Sequence, residues 1–189
     1  MNGPELLQEQ KSFLRKELRR KLRTLKPEER TRRSEKVVKE LFGHPKFSKA
    51  RSLLVYVAME HEVETRPLLE EAWRRRKKVY VPRLDSQKKR IQIVELSDLK
   101  ELKPGSYGIL EPPLNRNRLG KPEELDLAIV PGLGFDRGGG RLGRGFGYFD
   151  RFLFEARKAY KIGLAFECQI VDEIPRDVHD VVMDEVLIG

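Results

Sequence analysis

The sequence predicts an α/β fold of three layers, α/β/α, around a mostly parallel central sheet, with a basic helical arm at the N-terminus. Three observations carry this reading. Short apolar runs of strand length alternate along the chain with segments of helical period. Several of these runs, such as LLVYV and LAIV, are continuously apolar, as strands covered on both faces are. The charge is also unevenly spread. Residues 1–50 hold 15 Lys and Arg against 7 Asp and Glu, whereas the remainder holds 24 against 23.

The elements follow in order. Residues 5–24 read as a helix, because Leu14, Leu18, Leu22 and Leu25 recur at three- and four-residue spacing with cations on the other faces. Pro27 opens a second helix, with Glu28 and Glu29 in its first turn and Gly43 just past its end. RSLLVYVAM (51–59) is a buried strand. Thr65 as cap and Pro67 start a helix that runs to Arg76. KKVYVPRL (77–84) is a second strand, stopped by Pro82, and RIQIVEL (90–96) alternates as a strand does. PGSYGILEPP (104–113) is a Gly/Pro loop, and NRNRLGKPEE (115–124) is a surface connector. LDLAIVPG (125–132) is a third apolar strand. A helix follows from about Tyr148, then the strands KIGLAF (161–166) and DEVLIG (184–189).

A chain of 189 residues suits one domain, here 1–189 with residues 1–50 as the arm. The single cysteine, Cys168, excludes an intramolecular disulfide and suits a reducing compartment; a packing thiol is its expected role. No apolar leader and no apolar run near the ~20 residues of a membrane span are present. The expectation is a cytoplasmic monomer with no membrane and no nucleic-acid partner. The five cations Arg74 to Lys78 read as a cation-rich helix end.

The chemistry concentrates in GLGFDRGGGRLGRGFGYFD, residues 132–150. Eight of the fifteen glycines lie between Gly132 and Gly147. Bare backbone lets consecutive N–H groups turn inward as an anion nest, and the helix start after Gly147 adds positive charge. Arg141 and Arg144 supply charge-assisted donors. A polyphosphate would be held there, and Asp136 and Asp150 are carboxylates of the kind that bind magnesium beside it. Gly138, Gly140 and Gly143 also match G-x-G-x-x-G, but a dinucleotide fingerprint opens a helix at once and here the helix starts later. A nucleotide-dependent sugar-phosphate enzyme and an RNA-binding protein remain alternatives at this point. No Walker-type P-loop, no G-x-S-x-G and no histidine cluster among His44, His61 and His179 is present.

The stretch PGLGFDRGGGRLGRGFGYFDRFL resembles the signature of the 5-formyltetrahydrofolate cyclo-ligase family. KSFLRKELR, YVAMEHEVET, VYVPRL, YGILEP and the C-terminal AFECQIVDEIPRDVHDVVMDEVL fall in that family's order. The resemblance implies ATP- and magnesium-dependent cyclisation of 5-formyltetrahydrofolate to 5,10-methenyltetrahydrofolate, with release of ADP and phosphate. It implies that the formyl oxygen attacks the γ-phosphate, and that the anilino nitrogen then closes the ring as phosphate leaves. By this resemblance Lys11 and Arg15 contact the ATP phosphates. Arg141, Leu142, Gly143, Arg144, Gly145, Phe146, Gly147, Tyr148 and Phe149 form the nucleotide loop, with Arg144 to Tyr148 also touching the folate. Val57, Glu62 and Tyr107 contact the folate, Arg144 and Glu62 are the catalytic pair, and Asp150 and Asp180 hold magnesium. Asp136 is left without a role. Phe146 and Leu84 depart from the family pattern. The substrate is a reduced folate, polyglutamylated forms included.

Taken by themselves, the same residues have plainer readings. Lys11 and Arg15 are two of seven cations between residues 11 and 23. Glu60, Glu62 and Glu64 flank a helix start, Asp150 sits in a helix's first turn and Asp180 is a loop acid. Phe135 reads as core.

Overall fold

The computed structural model describes residues 3–105 and 108–189. Its central sheet grows outward from β1 (Ser52–Leu54). On one side β1 pairs in parallel with β2 (Lys78–Asp85), on the other with β6 (Leu127–Val130). β9 (Tyr160–Ala165) and β11 (Glu185–Ile188) extend the parallel sheet beyond β6. β3 (Arg90–Glu95) lies antiparallel on the outer edge of β2. The order is therefore β11-β9-β6-β1-β2-β3. The chain first leaves β1 toward β2 and later returns to its other side. That reversal opens a crevice beyond the carboxyl ends of β1 and β6, the place where parallel sheets bind ligands.

Side-chain alternation builds the two flanking layers. Leu53, Val55, Val79, Leu127, Ile129 and Ile162 face one side. There they meet α2 (Pro27–Gly43), α3 (Pro45–Lys49) and α4 (Arg66–Arg74) through Val37, Leu41, Phe47, Leu68 and Leu69. Leu54, Tyr80, Ala128 and Val130 face the other side, against Phe152 and Leu153 of α5 (Tyr148–Glu155). Burying each large aliphatic side chain contributes roughly 1.5–3 kcal/mol. The three-layer reading with a mostly parallel sheet holds.

Several local expectations are corrected. The first strand spans only Ser52–Leu54; the Val55 N–H still donates to the Tyr80 carbonyl at 2.9 Å, after which Tyr56 to Met59 leave the ladder. Thr65 is the N-cap residue of α4 but makes no side-chain capping bond: its hydroxyl donates to the Tyr56 carbonyl at 2.6 Å, tying the end of the β1 segment to the helix start. Pro82 does not stop β2, which runs on to Asp85. Its register partner Ile93 turns its carbonyl outward to the Gly120 N–H, so Pro82 faces the flank where β1 has already ended. No ladder donor is needed there. The Gly/Pro loop contains a small ribbon of β4 (Lys103–Pro104) and β5 (Leu110–Glu111).

The glycine stretch is not one open loop. Its first half is a hairpin of β7 (Gly134–Asp136) and β8 (Arg141–Leu142), completed by β10 (Ile170–Val171). Phe135 is fully buried, and its ring lies against Gly163 of β9, where an added Cβ would come within 2.5 Å of it. Asp136 is buried and accepts from the N–H groups of Gly140 at 2.7 Å and Ile174 at 2.9 Å. It therefore fastens the Gly138–Gly140 turn and does not face the crevice. This also removes the dinucleotide fingerprint, since Gly138, Gly140 and Gly143 span a hairpin.

The amino-terminal helix α1 (Gly3–Thr24) lies across this hairpin. Leu18 packs on Leu142 and Ile174, and Leu22 joins the core beneath α2. Lys11, Arg15, Leu18 and Leu22 recur at four- and three-residue steps, so they share one stripe. The buried face thus begins with two cations, contrary to the expectation that all cations would point elsewhere. Lys11 is only 5% exposed.

Four of the five cations from Arg74 to Lys78 are tied down locally. Arg74 and Arg75 pair with Glu71, Lys77 donates to the carbonyls of Ser48 and Ala50, and Lys78 pairs with Glu95. Cys168 packs half-buried against the core, and burial pushes its thiol pKa up. Among the described residues no helix is long and apolar enough to cross a membrane.

Candidate active site

The crevice is a cleft of about 1020 Å³. Its floor is the end of β1 with Tyr56 and Val57, and the end of β6 with Pro131 and Gly132. One wall is apolar: Pro82, Leu84, Ile91, Ile109 and Leu110. The other wall is the second half of the glycine stretch, Gly143 to Gly147, with α1 above it and the 177–180 loop beside it.

Glycine is required at two points of that wall. Gly145 has φ +111° and Gly147 has φ +63°, a region that side-chain-bearing residues rarely enter. Gly147 is also the N-cap of α5 and offers no side-chain acceptor. The first N–H groups of the helix are thus free of a side-chain cap at the edge of the cleft.

Four cations converge here, and each is anchored. Arg15 donates through Nε to the Gly143 carbonyl at 3.0 Å. Burial and then Arg19 lower its pKa, opposed by Asp180, and as a guanidinium it stays charged. Arg141 is 6% exposed and bridges the Pro131 carbonyl at 3.2 Å and both oxygens of Asp150 at 2.9 Å. Its Nε is buried with no hydrogen-bond partner. Arg144 reaches across the cleft to Glu62 Oε1 at 2.9 Å, while Glu62 Oε2 accepts from the Met59 N–H at 3.0 Å. Lys11 pairs with Asp180 and, at 3.5 Å, with Asp177.

The acids are held as firmly. Asp180 Oδ2 accepts from the Asp177 N–H at 2.8 Å. The His179 N–H holds the Asp177 carboxyl below its usual range against partial burial, with Lys11 adding to the effect. The Val181 N–H points to Asp150 Oδ1 at 3.4 Å, which joins the 177–180 loop to α5. At the floor, the Tyr56 hydroxyl donates to the Val63 carbonyl at 3.0 Å, so the segment carrying Glu62 is braced from below. Burial, then the charges of Glu62 and Glu64, push that phenol well above its ordinary pKa and keep it a donor.

A family model described as the 5-formyltetrahydrofolate cyclo-ligase family matches residues 7–189. The chain belongs to the 5-formyltetrahydrofolate cyclo-ligase family. It is 34% identical to the 5-formyltetrahydrofolate cyclo-ligase of Mus musculus, over 94% of this chain and 92% of that protein. It is 29% identical to that of Escherichia coli strain K12, over 90% and 95% respectively. Among solved structures it resembles the 5,10-methenyltetrahydrofolate synthetase of Aquifex aeolicus, with TM-score 0.83, 35% identity and 94% and 89% of the two chains covered. The corresponding synthetase of Mycoplasma pneumoniae gives TM-score 0.75 and 25% identity, over 94% and 97%.

Within this cyclo-ligase fold the residues expected from the sequence gather in one place. Lys11, Arg15, Val57, Glu62, Arg141 to Asp150 and Asp180 all line the cleft. The Leu142 side chain is buried with Leu18, and its carbonyl accepts from the Leu133 N–H. Phe146 is exposed and stacks on Tyr148 at 5.6 Å. Tyr107 lies outside the described residues. Sequence reading missed Asp177 and Tyr56. A carboxylate two residues before the turn at His179 and a tyrosine inside an apolar strand gave no signal of their own.

The residues fit a magnesium–phosphate group in one particular way. Among the described residues no three His, Cys, Asp or Glu side chains come together to hold a metal. Magnesium, however, is commonly held by one or two carboxylates together with phosphate oxygens. Asp150 and Asp180 offer two carboxylates beside an uncapped helix start, and the unpartnered Arg141 Nε offers a donor nearby.

Proposed function

We propose that this cleft binds ATP and 5-formyltetrahydrofolate side by side and closes the folate ring after phosphorylating the formyl oxygen. The overall change is 5-formyltetrahydrofolate plus ATP to 5,10-methenyltetrahydrofolate, ADP and phosphate. The observation that carries the reading is the Arg144–Glu62 contact of 2.9 Å. It joins the cation-bearing glycine loop to the acid beyond β1, so phosphate donors and folate acceptor share one space.

Lys11, Arg15, Arg141 and Arg144 neutralise the phosphates, with the N–H groups of Gly143 to Phe149 as the cradle. Asp150 and Asp180 would hold magnesium, and the bound nucleotide supplies the phosphoryl group. Glu62 accepts hydrogen bonds from the aminopyrimidine edge of the pterin, and Val57 packs on its ring. The apolar wall takes the remaining ring surface and excludes water from the reacting oxygen.

Arg144 stands where charge develops as the formyl oxygen takes the phosphoryl group. Ring closure then forms the bond from the anilino nitrogen to the formyl carbon, and the carbon–oxygen bond breaks as phosphate leaves. The reaction needs no protein nucleophile, only position and charge.

The test is direct. Purified protein, 5-formyltetrahydrofolate, ATP and magnesium are mixed, and the near-ultraviolet absorbance of the methenyl product is followed. Product should appear only when both ATP and magnesium are present. Folded protein that binds ATP yet forms no product would refute the assignment.

A further inference from the structure

The turn that carries Glu62 stands outside the sheet. Tyr56 to Met59 have left the β1 ladder, and α4 begins only at Arg66. Between them the turn closes on itself. The Glu62 N–H donates to the Met59 carbonyl, and Glu62 Oε2 accepts the Met59 N–H, both at 3.0 Å. These two bonds fix the carboxylate within the turn, but not the turn within the cleft.

α2 supplies that second anchor from behind. Arg30 Nη1 donates to the Glu60 carbonyl and, at 2.9 Å, to His61 Nδ1. Ser34, one helical turn further on, is 4% exposed and accepts the Glu64 N–H at 3.1 Å. Arg30 and Ser34 open the stripe that continues through Val37, Val38 and Leu41 into the core, so both stand on the packed face of the helix. Glu62 is therefore flanked, with residues 60 and 61 held on one side and residue 64 on the other. Arg30, Ser34 and His61 themselves lie behind the cleft lining, which at this point is Met59 and Glu62.

Across the cleft Arg144 also holds Glu62, at 2.9 Å. In the reaction proposed above, Arg144 turns to the phosphoryl group and Glu62 to the pterin. Arg30 then carries the hold on residues 60–62. One guanidinium nitrogen has two hydrogens and can serve both acceptors, and a neutral imidazole with its proton on Nε2 leaves Nδ1 free to accept.

We propose that Arg30 and His61 are positioning residues for the folate, which set where the Glu62 carboxylate meets the pterin edge. This rests on the folate reading above. Neither residue touches a reacting atom, and both act through Glu62.

Arg30→Met keeps the side-chain stem and removes its donors. His61→Ala removes the acceptor, and His61→Asn returns an oxygen near the place of Nδ1. Each variant is assayed for kcat and for the KM of ATP and of 5-formyltetrahydrofolate. Arg30→Met should raise the folate KM about tenfold, with kcat and the KM for ATP within about twofold of wild type. His61→Ala should raise the folate KM about threefold, and His61→Asn should restore it. Calorimetric titration gives the folate Kd in a Glu62→Gln background. There Arg30→Met should add no further weakening, because two residues that act through one contact are not additive.

An ATP KM that rises with the folate KM, equal effects of His61→Ala and His61→Asn, or an independent loss in the Glu62→Gln background would overturn the role. If Arg30→Met does not fold, the His61 pair decides. A wild type that turns over the folate, with variants that match it, overturns the positioning role alone. A wild type that does not turn it over overturns the folate reading and the role with it.

Discussion

Arg141 and Asp150 face each other under the glycine loop, one guanidinium nitrogen lying 2.9 Å from both carboxylate oxygens. An acid suited to a metal is thus held by a cation suited to a phosphate. Asp150→Asn keeps the shape but removes the charge that compensates a nearly buried arginine. It should lower unfolding stability by about 3 kcal/mol, the scale of breaking a buried pair, and it should abolish magnesium-dependent turnover. Urea denaturation and the methenyl assay read the two effects separately. An unchanged urea midpoint would mean that the pair is not a structural contact.

Arg144 should behave in the opposite way. Its side chain is 43% exposed and its bond to Glu62 spans an open cleft, so little folding energy depends on it. Arg144→Ala should change stability by less than about 0.5 kcal/mol and reduce kcat by roughly a hundredfold or more. A variant of near-normal kcat would remove Arg144 from the catalytic pair.

Lys11 occupies Asp180 and Asp177 in the same manner. If the proposed function holds, metal and nucleotide should assist each other: a cation arriving at Asp180 would release Lys11, and a phosphate arriving at Lys11 would release Asp180. Calorimetric titration should show ATP binding at least about tenfold tighter with magnesium than without it. Lys11→Met should weaken ATP binding and shrink that ratio. Equal ATP affinity with and without magnesium would exclude the exchange.

Acid sensitivity should arise partly far from the cleft. A hydrogen bond from Arg74, with Arg75 adding to it against burial, lowers the Glu71 pKa from 4.5 to about 2. A depressed carboxylate stabilises the fold above its unfolded pKa and loses that contribution as pH falls through the folded value. The window is therefore pH 4.5 down to 2. Glu71→Gln should flatten the stability curve in that window, measured by denaturant unfolding at stepped pH. Because Arg74 is largely exposed, added salt should reduce the difference.

The sheet was legible in the sequence because its strands are covered on both faces, which leaves runs such as Leu127 to Val130 with no polar interruption. The β7–β8 hairpin was not, since Gly134, Phe135, Asp136, Arg141 and Leu142 form arms too short to show alternation. Periodicity alone places Lys11 on a solvent-facing side of its helix, whereas the half-buried Asp180 and Asp177 receive its ammonium. The residues that gather around the cleft were legible as a set through the glycine stretch and the resemblance, but their partners were not. Arg144 lies 82 positions from Glu62 and Lys11 lies 169 from Asp180, separations that no local pattern spans. Asp136 shows the reverse case: a carboxylate at a suggestive position that backbone N–H groups claim.

The bridge from Lys11 to Asp180 has a consequence for biosynthesis. During synthesis α1 meets its partner only after the 169 positions that separate Lys11 from Asp180 have been made, and β11, which follows that partner, pairs with β9 at the edge of the sheet. Until then α1 carries its cationic stripe with no acid to receive it, and the hairpin it covers lacks the Ile174 N–H that binds Asp136. Nascent chains ending before residue 174 should therefore remain nucleotide-blind and protease-sensitive. Competence should arrive late and all at once, as α1 and the 177–180 loop are brought together across that separation.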